Sequence, residues 1–308
     1  MSGPNLRCRF KLASYNVQNL GREDNPGVYN VKLGFLSNAL RRIGADLVVI
    51  DEVREPESFA ELADAVGLYP ERFLADPPEE NRRIQIGILT RLEVVERGQW
   101  YDFPAMLPGS QQLNRLKFRR PIPWIQVRLG NGNELFVAAV HLKSQRAEVE
   151  SIPETETLRK RIVLGQALSG TGRILEGAGL RCLLDEVMEQ RKADYYAVMG
   201  DFNDRPDSET VRLILGGDTE EPVKGTTCQL FPVSGWIPEK RRFSYKDRMK
   251  QELLDHILVS RDLCFGLSRA GVENQLIEGE KRRSSEMEGY PRSDHAPVWA
   301  IFELPSPA

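Results

Sequence analysis

The stretch Tyr195-Tyr196-Ala197-Val198-Met199-Gly200-Asp201-Phe202-Asn203-Asp204 decides how the rest of the chain is read. A short apolar run closed by Gly and two polar side chains predicts a buried strand that delivers an acid and an amide to its C-terminal end. Open α/β sheets place their ligand sites at such ends. Asp201 and Asn203 are two apart, so an extended backbone sends both to one face, where they could hold one ligand between them. Pro206 and Asp207-Ser208 stop the strand and supply a cap for a helix through Thr210 to Leu215. Taken alone, the same residues also suit a plain strand-to-turn corner, so the rest of the chain has to decide.

On the N-terminal side, Arg9 to Tyr15 alternates and then breaks at Asn16-Val17-Gln18-Asn19, which predicts a first strand ending in a polar loop. Leu33, Leu36, Leu40 and Ile43 have helical spacing, with Gly44 as a stop signal. Asp46 to Val53 then reads as a second buried strand ending in Asp51 and Glu52. The three pieces make either a βαβ-like crossover or a hairpin-linked pair. Alternation sends Asp51 and Glu52 to opposite faces, so only one of them can point into a shared site. A short helix follows over Glu57 to Val66 and a strand over Ile84 to Thr90. Ile122 to Leu129 and Leu135 to His141 form a hairpin across Gly130-Asn131-Gly132-Asn133.

Thr155 to Lys192 is helical in pattern but carries Gly165, Gly170, Gly172, Gly177 and Gly179, which predicts two helices with a turn near Ser169 to Gly172. Beyond the central strand come strand-like runs at Cys228 to Val233, Phe243 to Tyr245 and Leu253 to Ser260. Asp255 lies among apolar residues there, and a buried carboxylate costs several kcal/mol unless it is paired, so Asp255 implies a partner. His256 faces the other way, in a structural role. Glu278 to Gly289 is charged and reads as a mobile loop, and Tyr290 to Pro297 leads into a closing strand, Val298 to Leu304. The chain has only three histidines, each at or near the end of a strand-like run.

At 308 residues the length admits two domains or one large one. No linker, repeat or composition break appears, and the candidate polar groups run from Asn16 to His295, so a single domain over residues 1–308 is expected. No apolar run approaches the ~20 residues of a membrane span, and Met1 to Arg7 lacks the apolar region of a signal peptide, which predicts a cytoplasmic protein. The four cysteines are far apart and form no CxxC pair, which fits isolated reduced thiols better than a disulfide framework or a zinc cage. A net charge of −3 gives no global attraction to a polyanion, so nucleic acid would have to be met by local basic patches.

Six motifs stand in order: Tyr15-Asn16-Val17-Gln18-Asn19, Asp51-Glu52-Val53, Val140-His141-Leu142-Lys143-Ser144, Gly200-Asp201-Phe202-Asn203, Leu254-Asp255-His256-Ile257 and Ser293-Asp294-His295. In this order and spacing the chain resembles the endonuclease/exonuclease/phosphatase superfamily, which includes DNase I, apurinic endonucleases, neutral sphingomyelinases, deadenylases and inositol 5-phosphatases. The resemblance implies an α/β (α+β) fold of the DNase I-like kind. That fold is a four-layer α/β/β/α sandwich of two packed mixed β-sheets with outer helices and one metal-dependent site at the strand ends. It implies that Glu52 is the principal Mg²⁺ ligand, with Asn16 beside it and Asp294 an acid near the metal. Asp201 and Asn203 would orient the attacking water and hold the phosphate, His295 would meet the phosphate with Asp255 orienting it, and His141 would serve the leaving group. The chain departs from some branches. Gln18 stands where apurinic endonucleases carry a metal-binding Asp, and His141 where they carry Tyr. The run around Asp255 lacks the Trp-Cys-Asp-Arg signature of inositol 5-phosphatases, and Asp51 replaces the Gln that commonly precedes the family Glu.

The chemistry independently asks for such parts. Phosphodiester hydrolysis needs an oriented water, neutralisation of charge on the phosphorane oxygens and a proton for the leaving oxygen. Oxygen-rich ligands favour a hard cation, Mg²⁺ or Mn²⁺. Basic residues interleaved with aromatics at Arg115 to Arg120 and Lys240 to Arg248, and the Lys281-Arg282-Arg283 run, could track a phosphate backbone. Arg120, Arg241, Arg242, Tyr245 and Lys246 are the candidate substrate contacts, with Phe243 and Tyr245 as stacking surfaces. A nuclease acting on DNA or RNA is the first expectation. Hydrolysis of small phosphoesters or phospholipid headgroups is the second, and an inactive binding scaffold of the same fold the third.

Overall fold

The computed structural model describes residues 8–22, 26–76, 84–104, 117–216, 228–247, 250–277 and 292–305. The predicted loop Glu278 to Gly289 and the Lys281 to Arg283 run lie outside the described residues.

The first expected unit is a parallel crossover: β1 (Cys8–Leu20), α1 (Pro26–Ile43) and β2 (Leu47–Val53), with Leu12 opposite Leu47 and Asn16 opposite Asp51. The closing strand β14 (Val298–Leu304) pairs antiparallel with β1, which brings the two ends of the chain together. With β3 (Glu71–Leu74), β4 (Gln85–Thr90) and β13 (Leu267–Val272) they form a six-stranded sheet in the order β13-β14-β1-β2-β4-β3. A second six-stranded sheet joins β5 (Glu93–Asp102), β6 (Lys117–Arg128), β7 (Glu134–His141), β8 (Tyr195–Asp201), β9 (Leu230–Pro232) and β12 (Asp255–Ser260). Its order is β5-β6-β7-β8-β12-β9. β7 and β8 are its parallel pair, joined by α3 (Leu158–Glu189). A small hairpin, β10 (Tyr245–Asp247) and β11 (Lys250–Glu252), stands apart from both sheets.

Side-chain alternation explains the layering. Phe10 and Leu12, Leu47 and Val49, Leu135, Val137 and Ala139, Ala197 and Met199, and Ile257 and Val259 meet in one core. These residues come from both sheets, so that core is the interface between the sheets. Their sequence neighbours face outward. Tyr15, Val48 and Ile50 pack with α1 and α2 (Pro56–Val66), while Val198 and Leu258 pack with α3 and α4 (Glu209–Leu215). Continuing the inward set to the strand ends reaches Asn16, Asp51, His141, Asp201 and Asp255. Five polar side chains from five strands therefore emerge at one edge of the sandwich because the period of a strand is two.

Two expectations need correction. The Thr155 to Lys192 segment holds one 32-residue helix rather than two. Several of its glycines are packing contacts and not breaks: a Cβ at Gly165 would lie 2.8 Å from the Glu148 backbone, and one at Gly179 would lie 2.6 Å from the Phe103 ring. Strands β5 and β13 were not expected. Both lie at sheet edges: β5 is charged and largely exposed, which discourages pairing with other chains and dilutes the apolar alternation, and β13 is short, with Ser268 and Arg269 exposed. Among the described residues no helix is long and apolar enough to cross a membrane.

Candidate active site

The segment after Asn16 leaves regular strand geometry. Gln18 and Asn19 have φ values of 52° and 55°, Glu52 has 66° and Asn203 has 51°, so four of the five non-glycine residues with positive φ among those described line this edge. Such backbone costs on the order of 1–3 kcal/mol each and concentrates at functional sites. At Glu52 it overturns the alternation argument. The left-handed residue turns the Glu52 carboxylate back toward Asn16, which donates to its Oε1 at 3.0 Å, while the Asn19 amide donates to Oε2 at 3.0 Å. Asp51 stays on the inward face beneath it, fully buried, and accepts the Asp201 amide at 3.0 Å. Both acids thus serve the same cluster. Gly200, at φ 147°, allows the neighbouring strand to come close: a Cβ there would lie 1.9 Å from the Val140 carbonyl oxygen.

Asp201 is the centre. Asn16 Nδ2 donates to its Oδ2 at 2.9 Å, and the Asn203 amide donates to its Oδ1 at 2.7 Å. His141 Nε2 lies 3.7 Å and His295 Nε2 3.9 Å from the same Oδ2. His295 Nδ1 is 2.7 Å from Asp255 Oδ2, which also accepts the Ser244 hydroxyl at 2.6 Å. Asp255 therefore has the partner its burial demanded. Asn203 does not project alongside Asp201 as expected. Its left-handed backbone turns the amide toward the chain after β7, where Nδ2 donates to the Leu142 carbonyl at 3.0 Å. His256 faces away, edge-on to Phe202 with Nε2 2.8 Å from the Asp204 carbonyl oxygen, which is a structural role.

The electrostatics follow from gathering acids where water is scarce. Burial, reinforced by Asp255, pushes the Asp201 carboxyl up to about 7. Burial, with Asp201 and Asp255, also raises Asp51 well above the usual carboxylate range. For His295 burial opposes the charged ring, yet Asp255, Asp201 and the hydrogen bond to Asp255 outweigh it and hold the imidazole protonated. Burial, Arg120 and His295 act the other way on His141 and keep it neutral. Ligand atoms of Glu52, His141 and Asp201 lie within 4.8 Å of one another, as do those of Asp201, Asp255 and His295. Among the described residues nothing donates to the buried Asp51 Oδ1 or Asp255 Oδ1. This crowding of carboxylates around a partly open Glu52 fits a divalent cation. Asp294 falls in neither trio. It is buried beside them, with its amide held by Gln18 Oε1 at 3.1 Å, and its charge acts on His295.

Of the expected substrate contacts, Tyr245 stands at the rim with its ring 5.1 Å from that of His295, and the Lys246 amide bonds the Asp294 carbonyl. Arg241 and Arg242 are exposed, but Arg242 donates to the Ile237 carbonyl. Arg120 turns inward and donates to the His141 and Leu142 carbonyls, so it braces the chain after β7 rather than offering a free cation. Phe243 is core and offers no stacking surface. Sequence reasoning missed Ser244 and Ser293. The first supports Asp255, and the second donates to the Asn16 carbonyl at 2.7 Å and accepts the His295 amide at 3.0 Å. It gave Gln18 no part beyond a departure from the family pattern. Only the position of Ser293, two residues before a candidate histidine, could have flagged any of them.

The fold recurs in solved structures at low identity. A functionally unknown conserved protein from Enterococcus faecalis V583 superposes with a TM-score of 0.59 at 16% identity, covering 96% of this chain and 99% of that one. TDP2 from C. elegans gives 0.59 at 15%, covering 96% and 75%. A mannosyl-6-phosphatase from Bacteroides thetaiotaomicron VPI-5482 gives 0.58 at 15%, covering 96% and 99%. Among curated protein sequences nothing matches this chain. The family model for the endonuclease/exonuclease/phosphatase family matches residues 13–295, a span that takes in every residue gathered at the strand ends, and the chain belongs to that family of metal-dependent phosphoester hydrolases.

Proposed function

We propose that the chain is a Mg²⁺-dependent phosphodiester hydrolase that acts as a nuclease on DNA or RNA. The observation that carries the reading is Asp201, flanked at 3.7 and 3.9 Å by two imidazoles of opposite charge state and faced by Glu52 at the mouth. Held by Glu52 and Asp201, whose carboxylates Asn16 Nδ2 bridges and orients, with Asp294 close by, a divalent cation would neutralise charge on the phosphate as water attacks. Asp201 orients that water and takes its proton as the new O–P bond forms and the ester P–O bond breaks. The His295 imidazolium, fixed by Asp255, stabilises the negative charge that builds on the phosphorane oxygens. His141, neutral in the free protein, gains proton affinity beside a bound phosphate and supplies the proton to the departing oxygen.

Tyr245 at the rim suits a base, and a cleft of ≈ 520 Å³ lined by Arg205, Arg242 and Lys250 together with Asp207 and Glu252 suits the adjoining backbone. The second reading, a hydrolase of small phosphoesters or lipid headgroups, draws support from the engagement of Arg120 and Arg242 with backbone carbonyls, which thins the cationic rim. It is also the activity class named for the mannosyl-6-phosphatase of the same fold. The deciding experiment incubates the protein with Mg²⁺ and plasmid, single-stranded DNA or RNA, beside bis(p-nitrophenyl) phosphate and p-nitrophenyl phosphate. Cleavage of a polymer with turnover of the diester supports the nuclease. Turnover of the monoester alone rejects it.

A further inference from the structure

The N-terminal half of α3 is inverted. Its buried face is Gly165, Ser169, Arg173 and Glu176, at helical spacings of four, four and three, while Val163 and Leu164 on other faces are 59% and 47% exposed. The second half is ordinary, with Leu180, Leu184 and Val187 packed on the outer face of the β8 sheet. At 1.5 Å per residue the helix is about 48 Å long against roughly 23 Å for the seven residues of β8. The surplus carries the inverted half to the loops that leave β7 and β8 at the active-site edge. Burying Arg and Glu in a helix is costly unless they are fully engaged, and here they are. Glu176 accepts the amides of Arg119 at 3.1 Å and Lys143 at 2.7 Å. Arg173 donates through Nη1 to the Lys143 carbonyl at 3.1 Å and through Nε to Asp204 Oδ2 at 2.9 Å. Ser169 donates to the Arg146 carbonyl at 2.6 Å.

We propose that Arg173 is a positioning residue that clamps the two catalytic loops to each other, the one leaving His141 and the one leaving Asp201 and Asn203. One guanidinium holds Lys143, two residues past His141, and Asp204, three past Asp201. Glu176 fixes the first loop from its amide side. The same two loops are cross-linked nearer the reacting groups by Asn203 to the Leu142 carbonyl and Gln145 to the Asn203 carbonyl. His141 and Asp201 are already register partners of the β7–β8 ladder, with the Leu142 amide donating to the Asp201 carbonyl at 3.0 Å, and Arg173 adds a second constraint just past the point where that ladder ends. This role rests on the proposed hydrolase reading for its kinetic consequence, but not for its structural one.

Two variants test it. Arg173→Lys keeps the charge but loses the planar fork, and Asp204→Asn weakens only the arm to the second loop. With Mg²⁺ and bis(p-nitrophenyl) phosphate, each should lower kcat by about tenfold or more with KM nearly unchanged, the pattern of lost alignment and not of lost binding. In a His141→Ala background the same substitutions should cost less than about twofold, because the group they position is gone. Equal losses in both backgrounds, or a rise in KM alone, overturn the clamp. Hydrogen exchange on EDTA-treated protein gives a readout independent of activity. Arg173→Lys should speed exchange in both segments, 142–146 and 203–205, while protection of β8 is retained. If wild-type protein hydrolyses nothing, the hydrolase reading falls and the exchange result alone judges the clamp. Faster exchange in one segment only, or in neither, rejects it.

Discussion

Raising the pH of the metal-free protein should destabilise it, and Asp201 sets the size of the effect. Its carboxyl is pushed from an ordinary value of 3.8 up to about 7, by burial first and Asp255 second, against the opposing pull of His295, Asn16 and the Asn203 amide. A carboxyl whose folded value is raised contributes stability that is complete below its unfolded value. That contribution is lost as pH rises through the folded value. The window therefore runs from about pH 4 to about pH 7, and the difference of roughly three powers of ten in proton affinity corresponds to ~4 kcal/mol at most. Asp51, displaced in the same direction, adds to the loss. Urea unfolding of EDTA-treated protein at pH 5 and pH 8 measures it. Between pH 5 and pH 8 Asp201 should lower the unfolding free energy by up to ~3 kcal/mol, with His295 adding to the loss and His141 and His256, both lowered by burial, working the other way, and Asp201→Asn should remove the Asp201 share. Saturating Mg²⁺ should restore wild-type stability at pH 8 but not that of the variant. Identical pH dependence in wild type and Asp201→Asn would refute the reasoning, because the destabilising charge would then lie elsewhere.

His295→Ala and Asp255→Ala should each cost about 10² to 10⁴ in kcat, and the double variant no more than the larger single loss, since the two act as a unit; a double loss equal to the product of the singles would show that they act separately. Gly200→Ala, which forces a Cβ to 1.9 Å from the Val140 carbonyl oxygen at φ 147°, should cost about 4 kcal/mol or more in chemical denaturation, and a loss below ~1 kcal/mol would contradict the geometry. Tyr245→Ala should raise KM for single-stranded nucleic acid by about tenfold while leaving a small diester nearly unchanged, as expected for a stacked base worth ~1–3 kcal/mol. Equal losses on both substrates would place Tyr245 in support of His295 instead.

Much of this site was legible because it obeys the simplest rule of strands. Asn16, His141 and Asp201 each end an apolar run in the right phase, Asp255 opens one, and a buried Asp255 could be told to need a partner before His295 was seen beside it. The parts that were not legible break that rule or span great separation. The left-handed backbone at Glu52 brings two adjacent acids into one cluster, and nothing in Asp51-Glu52-Val53 announces it. Gln18 reaches Asp294 across 276 positions. The inverted half of α3 defeats periodicity altogether, since its buried face is polar and its exposed face aliphatic, and its glycines mimic breaks while serving as contacts.

The central claim is that catalysis depends on a divalent cation held through Glu52. Its most direct measurement is a Mg²⁺ titration of bis(p-nitrophenyl) phosphate hydrolysis by EDTA-stripped protein, wild type beside Glu52→Gln. Wild type should be inactive without metal and saturate with it. Glu52→Gln, folded by circular dichroism, should need at least about tenfold more Mg²⁺ and reach a lower maximal rate. Full activity in EDTA, or superimposable titrations for the two proteins, would contradict the claim.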